Sequence, residues 1–123
     1  MTDHVDDTGT LIVRGSVSLA VISKLADGSY GAFVKAVVDL GRSVMAVGGE
    51  MHADGEALLL DDGSLQADLW GINLFPNDYG SGTFIEFESM INLRPRQGNR
   101  TTGVDDPTTR MMVADVVARL VHA

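Results

Sequence analysis

The sequence contains no cysteine. Disulfides, thiolate zinc sites, iron–sulfur clusters and a cysteine nucleophile are excluded together. Such a chain suits a reducing compartment, and a cytoplasmic location is expected. Positive charge is scarce: 9 Lys plus Arg stand against 17 Asp plus Glu, a formal net charge of −8. That balance disfavours nucleic acid, whose binding is dominated by neutralised phosphates. It equally disfavours anionic membrane surfaces. Long apolar runs are missing as well. The longest, "AFVKAVVDL", carries Lys35 and Asp39 and falls far short of the roughly 18 residues of a membrane-crossing helix. The opening "MTDHVDDTGT" is polar and acidic, so it reads as neither a secretory signal nor a transit peptide. The chain has no EF-hand spacing, no His-x-x-x-His pair, no phosphate loop and no Gly-x-Ser-x-Gly elbow.

What is present describes one globular domain. The 123 residues are 45% hydrophobic and 21% charged, enough to bury about two-thirds of the unfolded surface around one core. Residues 1–9 are expected to form a disordered leader and 10–123 a single domain. "TLIVR" reads as a first strand. In "SVSLAVISKLADG" the period changes: Leu19, Ile22, Leu25 and Ala26 share a helical face, with Ser18 as cap and Gly28 as a left-handed stop. "AFVKAVVDLGRSVMAVGG" reads as a hairpin with Leu40-Gly41 as a two-residue loop, so that Asp39 faces Arg42 and Val37 faces Val44. One face then holds Val34, Ala36, Val38, Ser43, Met45 and Val47, and the other carries Lys35, Asp39 and Arg42. A two-turn helix is expected near Ala57–Leu60, capped by Asp54 and stopped by Gly63. "ADLWGINLFP" and "TFIEFESMINLRP" read as two further strands. The last helix has Asp106 as cap, Pro107 at its first position, and Val113, Val116, Val117 and Leu120 as its stripe. The order β-α-β-β-α-β-β-α predicts an α+β fold: a largely antiparallel sheet of about five strands, with helices packed on one face.

From about Phe33 to Leu120 the chain resembles a family of small prokaryotic proteins of unknown function. The segments that carry the resemblance are "KAVVDL", "MAVGGEMHADGEALLLDDGS", "DLWGINLFP", "FESMINLRPRQGNR" and "GVDDPTTR". It implies no established activity.

Three constellations offer chemistry. In "GGEMHAD", Glu50, His52 and Asp54 fall at alternate positions and would point one way if extended. They would suit a hard divalent cation such as calcium or manganese. Alternatively, they are a helix entry, with Asp54 capping and His52 against the sheet. The second constellation is the polar sheet face: Lys35, Asp39, Asn73, Glu86, Glu88, Asn92 and Arg94, followed by Arg96, Asn99 and Arg100 in a turn. Three of the seven arginines fall within Ile91–Arg100. Mixed carboxylates, amides and guanidiniums suit a zwitterion, sugar or phosphate ester; as a solvated face they would be cross-strand pairs. The third is "QGNRTTGVDD", either an anion site at a helix N-terminus or a turn in which Arg100 pairs with Asp105 or Asp106.

Three functional expectations follow. The first is a non-catalytic binding or interaction module for a protein partner, including a second copy of the chain, or for a small polar ligand. Its ligand-binding residues would be Asn92, Arg94, Asn99, Arg100, Glu86 and Glu88. The second is a small enzyme acting on an anionic substrate, with Glu86 or Glu88 as base, His52 as acid and Arg94 as anchor. The third is a divalent-cation binder through Glu50, His52 and Asp54.

Overall fold

Alternating apolar residues build the centre of the sheet. The computed structural model describes residues 5–123, so the first four lie outside this description. Strands β1 (Thr10–Val13), β3 (Val34–Asp39), β4 (Val44–Gly48), β5 (Leu69–Leu74) and β6 (Ile85–Glu86) form one antiparallel sheet in the order β1-β4-β3-β5-β6. The helices are α1 (Leu19–Asp27), α2 (His52–Asp61) and α3 (Pro107–Leu120). Two short strands, β2 (Val17–Ser18) and β7 (Val121–His122), pair in parallel and tie the exit of α3 to the entry of α1. The α+β class, the five-stranded sheet and the element order are therefore as expected.

The capping signals of α1 and α3 act as read. Ser18 accepts from the Val21 amide at 3.3 Å and Asp106 from the Thr109 amide at 3.2 Å. All four predicted stripe residues of α3 are buried, each worth about 1.5–3 kcal/mol of transfer free energy. Gly28 ends α1 at φ −80°, so it is not a left-handed stop.

The helices do not share one face. Val34, Ala36, Val38, Met45, Val47 and Ile72 face α1 and α3. The opposite face, with Val37, Val44, Ala46 and Leu69, is covered by α2 through Leu59. The expectation of a half-solvated sheet is thus corrected. Lys35, Asp39 and Asn73 do share that second face, but α2 lies across its middle. Two features bring the helix in: the buried stripe His52, Gly55, Leu59, and the absence of a side chain at Gly55, whose Cβ would lie 3.1 Å from Val37 Cγ2.

Three local expectations also change. The β3–β4 loop is two residues longer than read: Val37 pairs with Ala46 and Asp39 with Val44. The cause is Asp39, whose carboxylate binds the Gly41 and Arg42 amides and shapes a wider turn. α2 starts at His52 rather than after Asp54; Asp54 sits in the first turn and accepts from the Met51 amide at 3.1 Å. Residues 5–9 are not a disordered leader. They form a turn in which Asp6 accepts from the Thr8 and Thr10 amides, and Val5 bridges to Leu11.

Candidate functional site

The segment Ile91–Arg100, the densest polar run of the sequence, is internal wiring. Only Ile85–Glu86 of the expected last strand pairs with β5. Beyond it, Ser89 is drawn against Gly71, where any Cβ would lie 2.4 Å from the Ser89 Cβ. The chain then makes a 3-10 turn at Met90–Asn92. Asn92, fully buried, takes the place of the missing strand. Its Oδ1 accepts from the Gly71 amide at 2.8 Å, and its Nδ2 donates to the Gly71 carbonyl at 2.9 Å and to Thr102 O at 3.1 Å. Asn99, also buried, donates to the carbonyls of Asn92, Thr101 and Gly103 and accepts from the Asp105 amide.

Arg94 is anchored too, although its Nε is buried without a hydrogen-bond partner. Its guanidinium donates to Gln66 O and Leu69 O, both at 2.7 Å, and lies 4.2 Å from the centre of the Trp70 ring. Arg100 is exposed; its backbone amide, not its guanidinium, binds Asp105. The turn reading of "QGNRTTGVDD" therefore holds, with a backbone donor in place of the arginine side chain. Arg94→Ala is expected to cost about 2 kcal/mol, from two carbonyls left without donors and a lost ring contact. Arg100→Ala should change stability by less than about 0.5 kcal/mol. Urea unfolding of the two variants checks this contrast.

The trio Glu50, His52 and Asp54 does not assemble. Among the described residues no group of three His, Asp or Glu side chains lies close enough to hold a metal ion. The alternation fails because the helix begins at His52. Asp54 is committed to the Met51 amide. Glu50, whose carbonyl accepts from the Tyr30 hydroxyl, lines a separate groove with Lys24, Gly48 and Gly49.

His52 instead meets the sheet face. It is 8% exposed, and its Nε2 lies 2.7 Å from the carbonyl oxygen of Ile72. A carbonyl can only accept, so Nε2 carries the proton, and in the neutral ring Nδ1 holds the lone pair. Burial depresses the His52 pKa below its ordinary 6.5; Lys35 adds to this, and the bond to Ile72, the Asn73 side chain and the Glu88 charge oppose it without reversing it. The sign of the linkage follows. An unfolded chain takes up a proton near pH 6.5 that the folded one refuses. The contribution is intact above pH 6.5 and declines as pH falls from 6.5 toward the folded pKa. Urea midpoints of wild type and His52→Gln should converge as the pH is lowered through that window.

Around His52 lies a cavity of about 290 Å³, between the N-terminus of α2, the end of the sheet and the loop after β6. Lys35, Asn73 and Glu88 line it, with Met51 and Met90 at its rim. Lys35 pairs in register with Asn73, and Asn73 with Glu86. Asn73 Nδ2 donates to Glu86 Oε1 at 2.8 Å. Its Oδ1 is shut off from solvent, makes no well-formed hydrogen bond, and lies close enough to the His52 ring to favour the protonated imidazole. His52 and the Lys35/Asn73/Glu88 face thus form one cleft, which brings His52 and Glu88 together but takes in neither Glu86 nor Arg94. The face was legible from its alternation. The meeting with His52 depends on the path of α2, which no local pattern encodes.

The fold and cleft define a small α+β domain with a two-sided core and a polar cavity at one end of its sheet. The chain belongs to the family described as "Protein of unknown function (DUF5674)", whose model matches residues 11–120. No curated protein and no solved structure matches the chain.

Proposed function

We propose that this protein is a non-catalytic binding module whose ligand is a small polar molecule held in the His52 cleft. The observation that carries the reading is the cleft itself, which brings the buried, neutral imidazole of His52 together with Lys35, Asn73 and Glu88 around about 290 Å³ of open space. Pockets that combine apolar walls with a few convergent polar groups are where small ligands bind. Of the residues first assigned to ligand binding, Glu88 stays in the site, and Glu86 supports it by holding Asn73. Asn92, Arg94, Asn99 and Arg100 do not enter it. A cytoplasmic location goes with this proposal, since a chain without cysteine needs no oxidising compartment to fold.

The test uses isotope-labelled methionine methyls. Met51 and Met90 rim the cleft, whereas Met111 and Met112 are exposed on α3. A library of small polar metabolites screened by NMR is expected to yield compounds that shift the first pair and leave the second in place. A screen in which no compound moves Met51 or Met90, or in which all four methyls move together, defeats the reading.

A further inference from the structure

We infer that the ligand of this cleft is a small zwitterion: a protonated amine and a carboxylate joined by a short hydrocarbon stem. The inference rests on the binding reading above and narrows it to one chemical class.

Charge balance is the first argument. The cavity is lined by one cation, Lys35, and one carboxylate, Glu88, with His52 neutral between them. A ligand of net charge would leave one of the two walls unmatched, and a neutral polyol would match neither. Lys35 is half-buried, with its ammonium 5.2 Å from the centre of the Tyr30 ring, so it is steadied by that ring rather than free in solvent.

Hydrogen-bond polarity is the second argument. Because Nε2 is given to Ile72, the remaining His52 nitrogen is an acceptor. Asn73 Oδ1, closed to solvent and next to the His52 ring, adds a second lone-pair-bearing atom to that wall. The Glu88 carboxylate is a third. An ammonium group has three N–H donors and no acceptor, which is the complement of this set. A carboxylate would meet lone pairs here; its place is beside the Lys35 ammonium. Ser89 is consistent with this division, since its oxygen already accepts from the Ile91 amide at 3.2 Å and its proton stays free to donate.

Size and lining supply the third. About 290 Å³ is at the lower limit for ligand pockets and suits a molecule of amino-acid size. Phe33, Met51, Met90 and Ile91 give the stem apolar walls. Met51 and Met90 are 60% and 73% exposed. Their flexible thioether chains can fold over a ligand that reaches inward to His52.

The experiment is a chain-matched set read through the Met51 and Met90 methyls: γ-aminobutyrate and α-aminobutyrate as zwitterions, butylamine as cation, butyrate as anion and butyramide as neutral control. One of the zwitterions is expected to bind about tenfold or more tightly than butylamine, butyrate or butyramide. Glu88→Gln should reduce that zwitterion to the level of butyrate. Lys35→Met should reduce it to the level of butylamine, and Lys35→Arg should retain the preference. Both positions are outside the buried core, so the variants keep the fold, and an unchanged melting temperature verifies it. If butyrate or butyramide binds as tightly as the zwitterions, the zwitterion class is wrong and the cleft reading stands. If no member of the set moves the two methyls, the class is likewise overturned, whereas the cleft reading falls only when the wider metabolite screen is silent too.

Discussion

Asn92→Ala is expected to lower the unfolding free energy by about 3 kcal/mol, more than any other single amide in the chain. The reason is what the side chain replaces. On the edge away from β3, β5 lacks a neighbouring strand at Gly71, and the Asn92 carboxamide supplies both halves of a strand pairing there: it accepts from the Gly71 amide and donates to the Gly71 carbonyl. Its Nδ2 also reaches Thr102 O, which anchors the loop back onto the same edge through the Ser89 amide at 2.9 Å. Removing the carboxamide leaves the Gly71 amide and carbonyl without partners at a fully buried position, each costing about 1–3 kcal/mol where water cannot reach, and leaves Thr102 O with the Ser89 amide alone. For a domain with a total stability of about 5–15 kcal/mol the loss is large, and a fall of roughly 10 °C in Tm is expected. Asn92→Asp is a sharper test. Its carboxylate still accepts from Gly71 N–H, but it faces two carbonyl oxygens with no proton to give. It should destabilise at least as much at neutral pH and recover part of the loss at low pH, where a protonated carboxyl can donate. A Tm unchanged by either substitution would return Asn92 to the role of a ligand contact.

The same residue shows why part of the molecule was legible and part was not. Local signals were sufficient where the structure is local. Asp106, Pro107 and the Val113 stripe define α3 without reference to the rest of the chain. The two faces of β3 and β4 survive a register expectation that is off by two residues, because a shift of two keeps every side chain on its own face. The segment Phe84–Arg94 failed for the opposite reason. Its alternation is that of a strand, yet Gly71, more than a dozen residues away in sequence, admits Ser89 so closely that the strand breaks. Two asparagines in strand-like sequence did signal positioned hydrogen bonds. Which bonds they make, Asn73 in the cleft wall and Asn92 at the sheet edge, is set by tertiary contacts.

Asp39→Ala is expected to cost about 3–4 kcal/mol, the second large effect. Asp39 is fully buried, and each carboxylate oxygen receives two donors. Oδ1 accepts from the Gly41 amide at 2.8 Å and the Arg42 amide at 3.1 Å, and Oδ2 from Arg42 Nε at 3.0 Å and Ser64 Oγ at 2.6 Å. Arg42 passes the connection to Asp62, which binds Arg14, so one carboxylate joins the β3–β4 turn, the end of α2 and the end of β1. Truncation leaves the Gly41 and Arg42 amides and Arg42 Nε unpaired, and the guanidinium with Asp62 and Ser64 Oγ as its remaining partners, the situation in which buried pairs are costly to break. Asp39→Asn separates shape from charge. The amide oxygen can still serve the two backbone donors and the Ser64 hydroxyl can turn to donate elsewhere, but Arg42 Nε then faces an NH₂ group. A loss of about 2 kcal/mol is expected. The pH dependence distinguishes the two effects. Burial pushes the Asp39 carboxyl up, and the hydrogen bonds from Ser64, Arg42 and Gly41 more than reverse it, leaving the pKa below the usual 3.8. A depressed carboxylate pKa stabilises the fold fully above pH 3.8, and the contribution is lost as pH falls from there through the folded value. The advantage of wild type over Asp39→Asn, measured by urea unfolding, should therefore be constant through the neutral range and shrink only below about pH 4. An advantage that is already shrinking at pH 6 would mean that another group, with His52 the nearest in pKa, carries the effect instead.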